Sequence, residues 1–184
     1  MRPSTPAKGR IAAAILLSLL LAAGPTRSAG KRDVEVAVRA LEFLAQPIRD
    51  DVVMGIVHAP GTPGTRDAAE NLARELSGGV RTANIRLTAR PIALDELSGT
   101  DAVISGVDVL FLPEGLEGQY DRIFADALRL KIPTVSADPL CVTRDRCLMA
   151  VRTVPRVEIT VSRAVAARYG VEFQSPFRLM VTIR

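Results

Sequence analysis

Apolar positions along this chain change rhythm repeatedly, and each change marks an element. Val34, Ala37, Val38, Leu41 and Leu44 recur at threes and fours, the spacing of one helix face. Asp33 stands where an N-cap would, and Pro47 limits the far end. Val52-Val53-Met54-Gly55-Ile56-Val57 is a continuous apolar run rich in β-branched residues, which predicts a strand covered on both faces. The turn-rich Pro60-Gly61-Thr62-Pro63-Gly64-Thr65 delivers a helix over Arg66 to Leu76, stopped by Gly78-Gly79. Val80 to Thr88 alternates Ile85 and Leu87 with polar partners, as a half-exposed strand does.

One helical turn over Leu94 to Leu97 precedes the strand Val107 to Leu112, and Glu114 to Gly118 form a loop. Tyr120 to Leu130 is a helix with Ile123, Phe124, Ala127 and Leu128 inward. Ile132-Pro133-Thr134-Val135-Ser136 reads as a short strand that tolerates its proline near its start. Leu148 to Val151 and Val157 to Val161 form a hairpin, Ser162 caps a helix over Arg163 to Tyr169 closed by Gly170, and Phe177 to Ile183 is a last strand. Strand and helix alternate from Val34 to Ser136, which favours parallel pairing. The expected fold class is therefore α/β: a single domain whose mainly parallel central sheet is flanked by helices, with a C-terminal β-hairpin and strand addition.

The first residues change the picture of charge and compartment. Arg2, Lys8 and Arg10 precede the thirteen apolar residues Ile11 to Ala23; Gly24-Pro25 and the small Ser28 and Ala29 follow. A helix needs about 20 apolar residues to span a bilayer, so basic, apolar, small reads as a cleavable signal peptide over residues 1–28. Cutting after Ala29 is an alternative, and an uncleaved anchor is the rival reading. Residues 29–184 then form one domain, exported to the periplasm and not membrane-spanning after cleavage. Removing Arg2, Lys8, Arg10 and Arg27 leaves 20 basic against 20 acidic residues, so the sequence pI of about 9.6 belongs to the leader. Without a basic face, and with no Trp, nucleic-acid binding is excluded as a function class.

Candidate chemistry is sparse. Gly61-Thr62-Pro63-Gly64 lies between a strand and a helix start, a place receptive to anions, yet it lacks both the Gly-Lys-Ser/Thr and the three-glycine phosphate patterns. A plain tight turn is the competing reading. His58 is the only histidine, at the carboxyl end of the first strand where open α/β sheets place ligands. No nucleophile, base and orienter can be assembled around it, so no catalytic residue is assigned and no enzyme is expected. One His and two Cys make no zinc pattern, and Asp138, Asp145 and Glu158 are not spaced as a calcium loop, so no metal or cofactor is expected. In an exported chain Cys141 and Cys147 read first as a structural disulfide, with free thiols or a redox pair as alternatives.

The order of elements resembles the YfiR family of periplasmic proteins. The matching pieces are Phe43-Leu44-Ala45-Gln46-Pro47, Val53 to Val57, Asp108 to Leu112, Pro133 to Asp138, Leu148 to Val151 and Val157 to Ala167. Ser162 stands where that family usually has Asn, and Gln46 where a Trp often precedes the proline. The resemblance implies a repressor of an inner-membrane diguanylate cyclase, acting on its periplasmic sensor region in cyclic di-GMP signalling and biofilm control. It also implies an outer-membrane lipoprotein that relieves the repression, and it leaves a dimer open. A neutral surface does not steer by long-range field, so a partner would meet an apolar patch. Phe173 and Phe177, bracketing Pro176, are the candidates for partner binding, with burial in the core as the other reading. A second resemblance, to periplasmic small-molecule-binding proteins related to the substrate-binding components of ABC transporters, rests on the same strand-helix alternation.

Overall fold

A computed structural model describes residues 30–46, 48, 50–99 and 104–184. The expected leader, residues 1–28, and Pro47 lie outside the described residues. Helix α1 (Lys31–Leu41) starts one turn before the expected position, because Asp33 acts from inside the first turn. Its Oδ2 accepts from Gly30 N at 3.2 Å. The strands are β1 (Asp51–His58), β2 (Val80–Arg81), β3 (Arg86–Ala93), β4 (Val109–Leu112), β5 (Thr134–Ser136), β6 (Met149–Arg152), β7 (Glu158–Val161) and β8 (Thr182–Ile183). Between them lie α2 (Thr65–Glu75), α3 (Leu94–Leu97), α4 (Tyr120–Leu130), α5 (Pro139–Thr143), α6 (Arg163–Tyr169) and α7 (Ser175–Arg178).

All eight strands join one sheet in the order β2-β3-β1-β4-β5-β6-β7-β8. The five central strands β3, β1, β4, β5 and β6 are parallel, β2 and β7 pair antiparallel at either side, and β8 runs parallel to β7. This is the α/β domain expected, including the hairpin β6–β7. Alternation along each buried strand serves two cores. Val52, Met54 and Ile56 of β1, with Val109 and Phe111 of β4, pack towards α1 and α2, while Val57, Leu110 and Leu112 pack towards α3, α4 and α5.

Three local expectations needed correction. The predicted strand over Val80 to Thr88 is broken by a turn at Thr82–Ile85, closed by Thr82 N donating to Ile85 O at 2.9 Å, and the main strand continues through Pro91. Pro91 pairs with Ile56 on one side, and β2 covers β3 only at Arg86 and Leu87. A proline is accommodated where the outer edge carries no ladder. The predicted loop after Asp138 is the short helix α5, which Asp138 caps with Pro139 at its first position. The predicted strand from Phe177 shrinks to Thr182–Ile183, because Pro176 starts the helical turn α7 instead.

Candidate functional site

The chain leaves β1 to build β3 on one side and returns to build β4 on the other. Strand order therefore reverses between β1 and β4, and the loops beyond their carboxyl ends diverge to opposite faces. In open α/β sheets this is where ligands bind. Three loops meet here.

The first, after β1, is fixed by Thr65. Its Oγ1 donates towards Ala59 O and Thr62 O (3.1 and 3.0 Å) and accepts from Ala59 N at 3.2 Å. Gly61 and Gly64 have φ of 84° and 78°, the left-handed region that glycine enters without a Cβ penalty. Gly64 is the N-cap of α2 and supplies no side-chain cap, so the positive end of an eleven-residue helix lies at this edge, with Arg66 and Asp67 both in its first turn. The second loop, after β4, brings Gly115 so close that an added Cβ would sit 3.6 Å from Thr65 Cγ2. The two loops thus touch across the switch point.

The third loop, after β5, is built from hydroxyls and one carboxylate. Ser136 Oγ donates to Leu112 O at 3.2 Å and accepts from Asp138 N at 3.0 Å. Asp138 Oδ1 accepts from Leu140 N at 2.9 Å, and its Oδ2 accepts from the Tyr120 hydroxyl at 2.6 Å. Burial, then the bond to Asp138, pushes the Tyr120 pKa far up, so the phenol stays a donor. The Asp138 carboxylate is half-exposed, so it has lone pairs to offer a bound group.

His58 ends β1 as a buried residue, and its Nδ1 has no hydrogen-bond partner among the described residues. Burial, then the Arg66 guanidinium, holds its pKa below the ordinary 6.5, against the weaker pull of Glu96 and Glu70. It is a neutral imidazole at neutral pH. No described hydroxyl or thiol is hydrogen-bonded to it. No group of three or more His, Cys, Asp or Glu suited to a metal occurs among the described residues.

The other sequence-selected residues lie elsewhere. Cys141 and Cys147 are joined as a disulfide with Cα atoms 5.4 Å apart, both fully buried against α4 and β6. Phe173 and Phe177 are buried and stack together at 5.0 Å, with Phe43 stacked on Phe177 at 5.2 Å. As placed, these rings tie the chain after α1 to the last third instead of forming an exposed patch. Tyr120, Ser136 and Asp138 were not singled out as site residues from the sequence. The available signal was Ser-Ala-Asp-Pro at a strand end, a polar trio followed by a helix-starting proline.

No known family profile matches the chain, and no curated protein does. The YfiR resemblance therefore has no independent support. Solved structures do match. One is an ABC domain in complex with L-Trp from Streptococcus pneumonia (12% identity, TM-score 0.62, 83% of this chain and 60% of that one). Another is a conserved domain protein from Vibrio cholerae (14%, 0.58, 82% and 59%). A third is a substrate-binding protein with adhesive properties from Clostridium difficile, ligand-free and open (13%, 0.58, 85% and 60%). The chain shares the α/β fold of these structures. This chain spans about 60% of the length of each of these structures.

Proposed function

We propose that this chain is an exported, periplasmic small-molecule-binding protein that receives its ligand at the carboxyl edge between β1, β4 and β5. The observation that carries the reading is the switch point itself. The loop after β1 places the N-terminus of α2 and Arg66 at this edge, the loop after β4 passes beside it at Gly115, and the loop after β5 places Asp138 there, its carboxylate held from behind by the buried Tyr120 hydroxyl. Donors on one flank suit a carboxylate, and an acceptor on the other suits an ammonium or hydroxyl. A small zwitterion of amino-acid type is therefore the ligand class, and one structural neighbour is described in complex with L-Trp. One structural neighbour is described as a substrate-binding protein and another in complex with L-Trp, which favours a non-enzymatic role. Of the two readings raised by the sequence, ligand binding has this support, while repression of a diguanylate cyclase has no observation specific to it.

Differential scanning fluorimetry across amino acids, dipeptides and sugars tests the reading. A ligand at about 100 times its Kd raises stability by about 2.7 kcal/mol, a readily measured shift. Calorimetric titration of the responding compound should weaken at least about tenfold in Arg66→Ala and in Asp138→Asn. Flat melting curves across the whole panel, or undiminished binding in both variants, would remove this site.

A further inference from the structure

Four of the five large apolar side chains that stand exposed among the described residues are Val154, Val157, Leu179 and Met180, with Leu179 at 89% and Met180 at 67%. They are not scattered. Strands β7 and β8 are adjacent and parallel, with Thr160 beside Thr182 and Val161 beside Ile183. Val154 and Val157 lie just before β7, and Leu179 and Met180 just before β8, so both pairs sit at the entry end of the same strand pair. They form one apolar corner.

The start of α1 lies against that corner. Asp33 Oδ1 accepts from Thr153 N at 2.9 Å and from Thr153 Oγ1 at 2.6 Å, and Thr153 immediately precedes Val154. Residues 1–29, with the apolar run Ile11 to Ala23, join the described chain at Gly30, one turn away. The surrounding charge is mostly basic. Lys31 and Arg32 open α1, Arg178 precedes Leu179, and Arg152 and Arg156 both hold Glu158. Glu35, 4.0 Å from Lys31, and the buried Asp33 are the other acids at hand, so the cations Lys31, Arg32, Arg152, Arg156 and Arg178 still outnumber the carboxylates Asp33, Glu35 and Glu158. Among the described residues, Arg32 and Arg178 pair with no carboxylate.

From these juxtapositions we infer that the corner is a membrane-docking surface: Val154, Val157, Leu179 and Met180 enter the headgroup boundary of an anionic bilayer while Lys31, Arg32, Arg156 and Arg178 meet lipid phosphates. Exposed aliphatic tips with a basic collar have the chemistry of an interfacial anchor. The inference stands independently of the ligand reading, since the corner is built from β7, β8 and α1 while the ligand edge is built from β1, β4 and β5.

The test is flotation of the chain beginning at Ala29 with vesicles of phosphatidylcholine alone or with about 30% phosphatidylglycerol. Partition should favour the anionic vesicles by at least about tenfold and should decline with added salt. Leu179→Asp combined with Met180→Asp should abolish that preference, and Arg178→Glu should reduce it. Because the chain contains no Trp, Met180→Trp supplies an independent reading: its emission should shift to the blue with anionic vesicles and stay unshifted with neutral ones. Absence of flotation together with an unshifted Trp overturns the proposal. So does a wild-type dimer that the double Asp variant converts to monomer without any vesicle binding, which would make the corner an interface between copies.

Discussion

Asp33 and His58 show opposite ways in which a buried polar group is accommodated. Asp33 satisfies the backbone and hydroxyl of Thr153 and the amide of Gly30, closing one end of α1 onto β6. Asp33→Ala leaves Thr153 N without its partner in a buried site and should destabilise the fold by about 3 kcal/mol, read as a lower urea midpoint at unchanged slope. An unaltered midpoint would show that water replaces the carboxylate. His58 instead keeps one ring nitrogen unpaired and stays neutral. Since its folded pKa lies below the ordinary 6.5, the unfolded chain takes up a proton first as the pH falls. Stability from this site is complete above that value and declines on acidification below it, down to the lowered folded value. Melting temperature followed from pH about 7.5 to about 5.5 should fall more steeply for the wild type than for His58→Gln. Glu158, held low by Arg156 and Arg152, acts in the same direction at lower pH, where its stabilisation is lost as the carboxylate is protonated.

At the scale of elements, the disulfide segment joins several pieces. The bond spans α5 and the turn after it, where Asp145 receives the Ser162 hydroxyl at 2.7 Å and Arg146 pairs with Asp121 of α4. Reduction, or replacement of both cysteines by alanine, should cost about 2–3 kcal/mol by the loop-entropy argument, measured by chemical denaturation with and without reductant. Identical curves would show that the surrounding packing alone holds this segment. Elements that carry their own pattern were legible in the sequence: β1 by its unbroken β-branched run, α4 by its three-four spacing, and the β6–β7 hairpin by two short apolar runs around Pro155. Elements set by context were not. The strand read as ending at Thr88 runs on through Pro91 to Ala93, where the far side of β3 carries no ladder, and Phe177 read as strand although Pro176 sets a helical turn. The site was half legible. The Gly61–Gly64 turn and His58 stood out by type and position, whereas Tyr120 and Asp138 are joined only because α4 and the β5 loop meet in space.

For the whole molecule, the distinctive feature is how the beginning of the fold is held by its end. Ala45 N donates to Glu172 O at 2.7 Å, Gln174 N donates to Phe43 O at 2.8 Å, and Phe43 stacks on Phe177. Ending the chain after Gly170 should therefore release α1 and Phe43 to Ala45, not merely remove a tail. Hydrogen exchange should show protection lost over residues 34–44 while β1, β3 and β4 keep theirs. Continued protection of α1 in the shortened chain would show that Thr153 alone suffices to seat it.

That closure also sets a timetable. The first helix waits for Thr153, 120 positions further on, and the carbonyl of Leu44 for Gln174, 130 positions further on. Contacts of such separation form late, because the intervening chain must be ordered first. A polypeptide threaded through a translocation pore from its amino end would have its foremost helix unseated until nearly all of it had crossed. Slow completion is a handicap for a protein folding beside the ribosome, where exposed strands aggregate. For one that must remain pliable during passage, it is an advantage written into the connectivity.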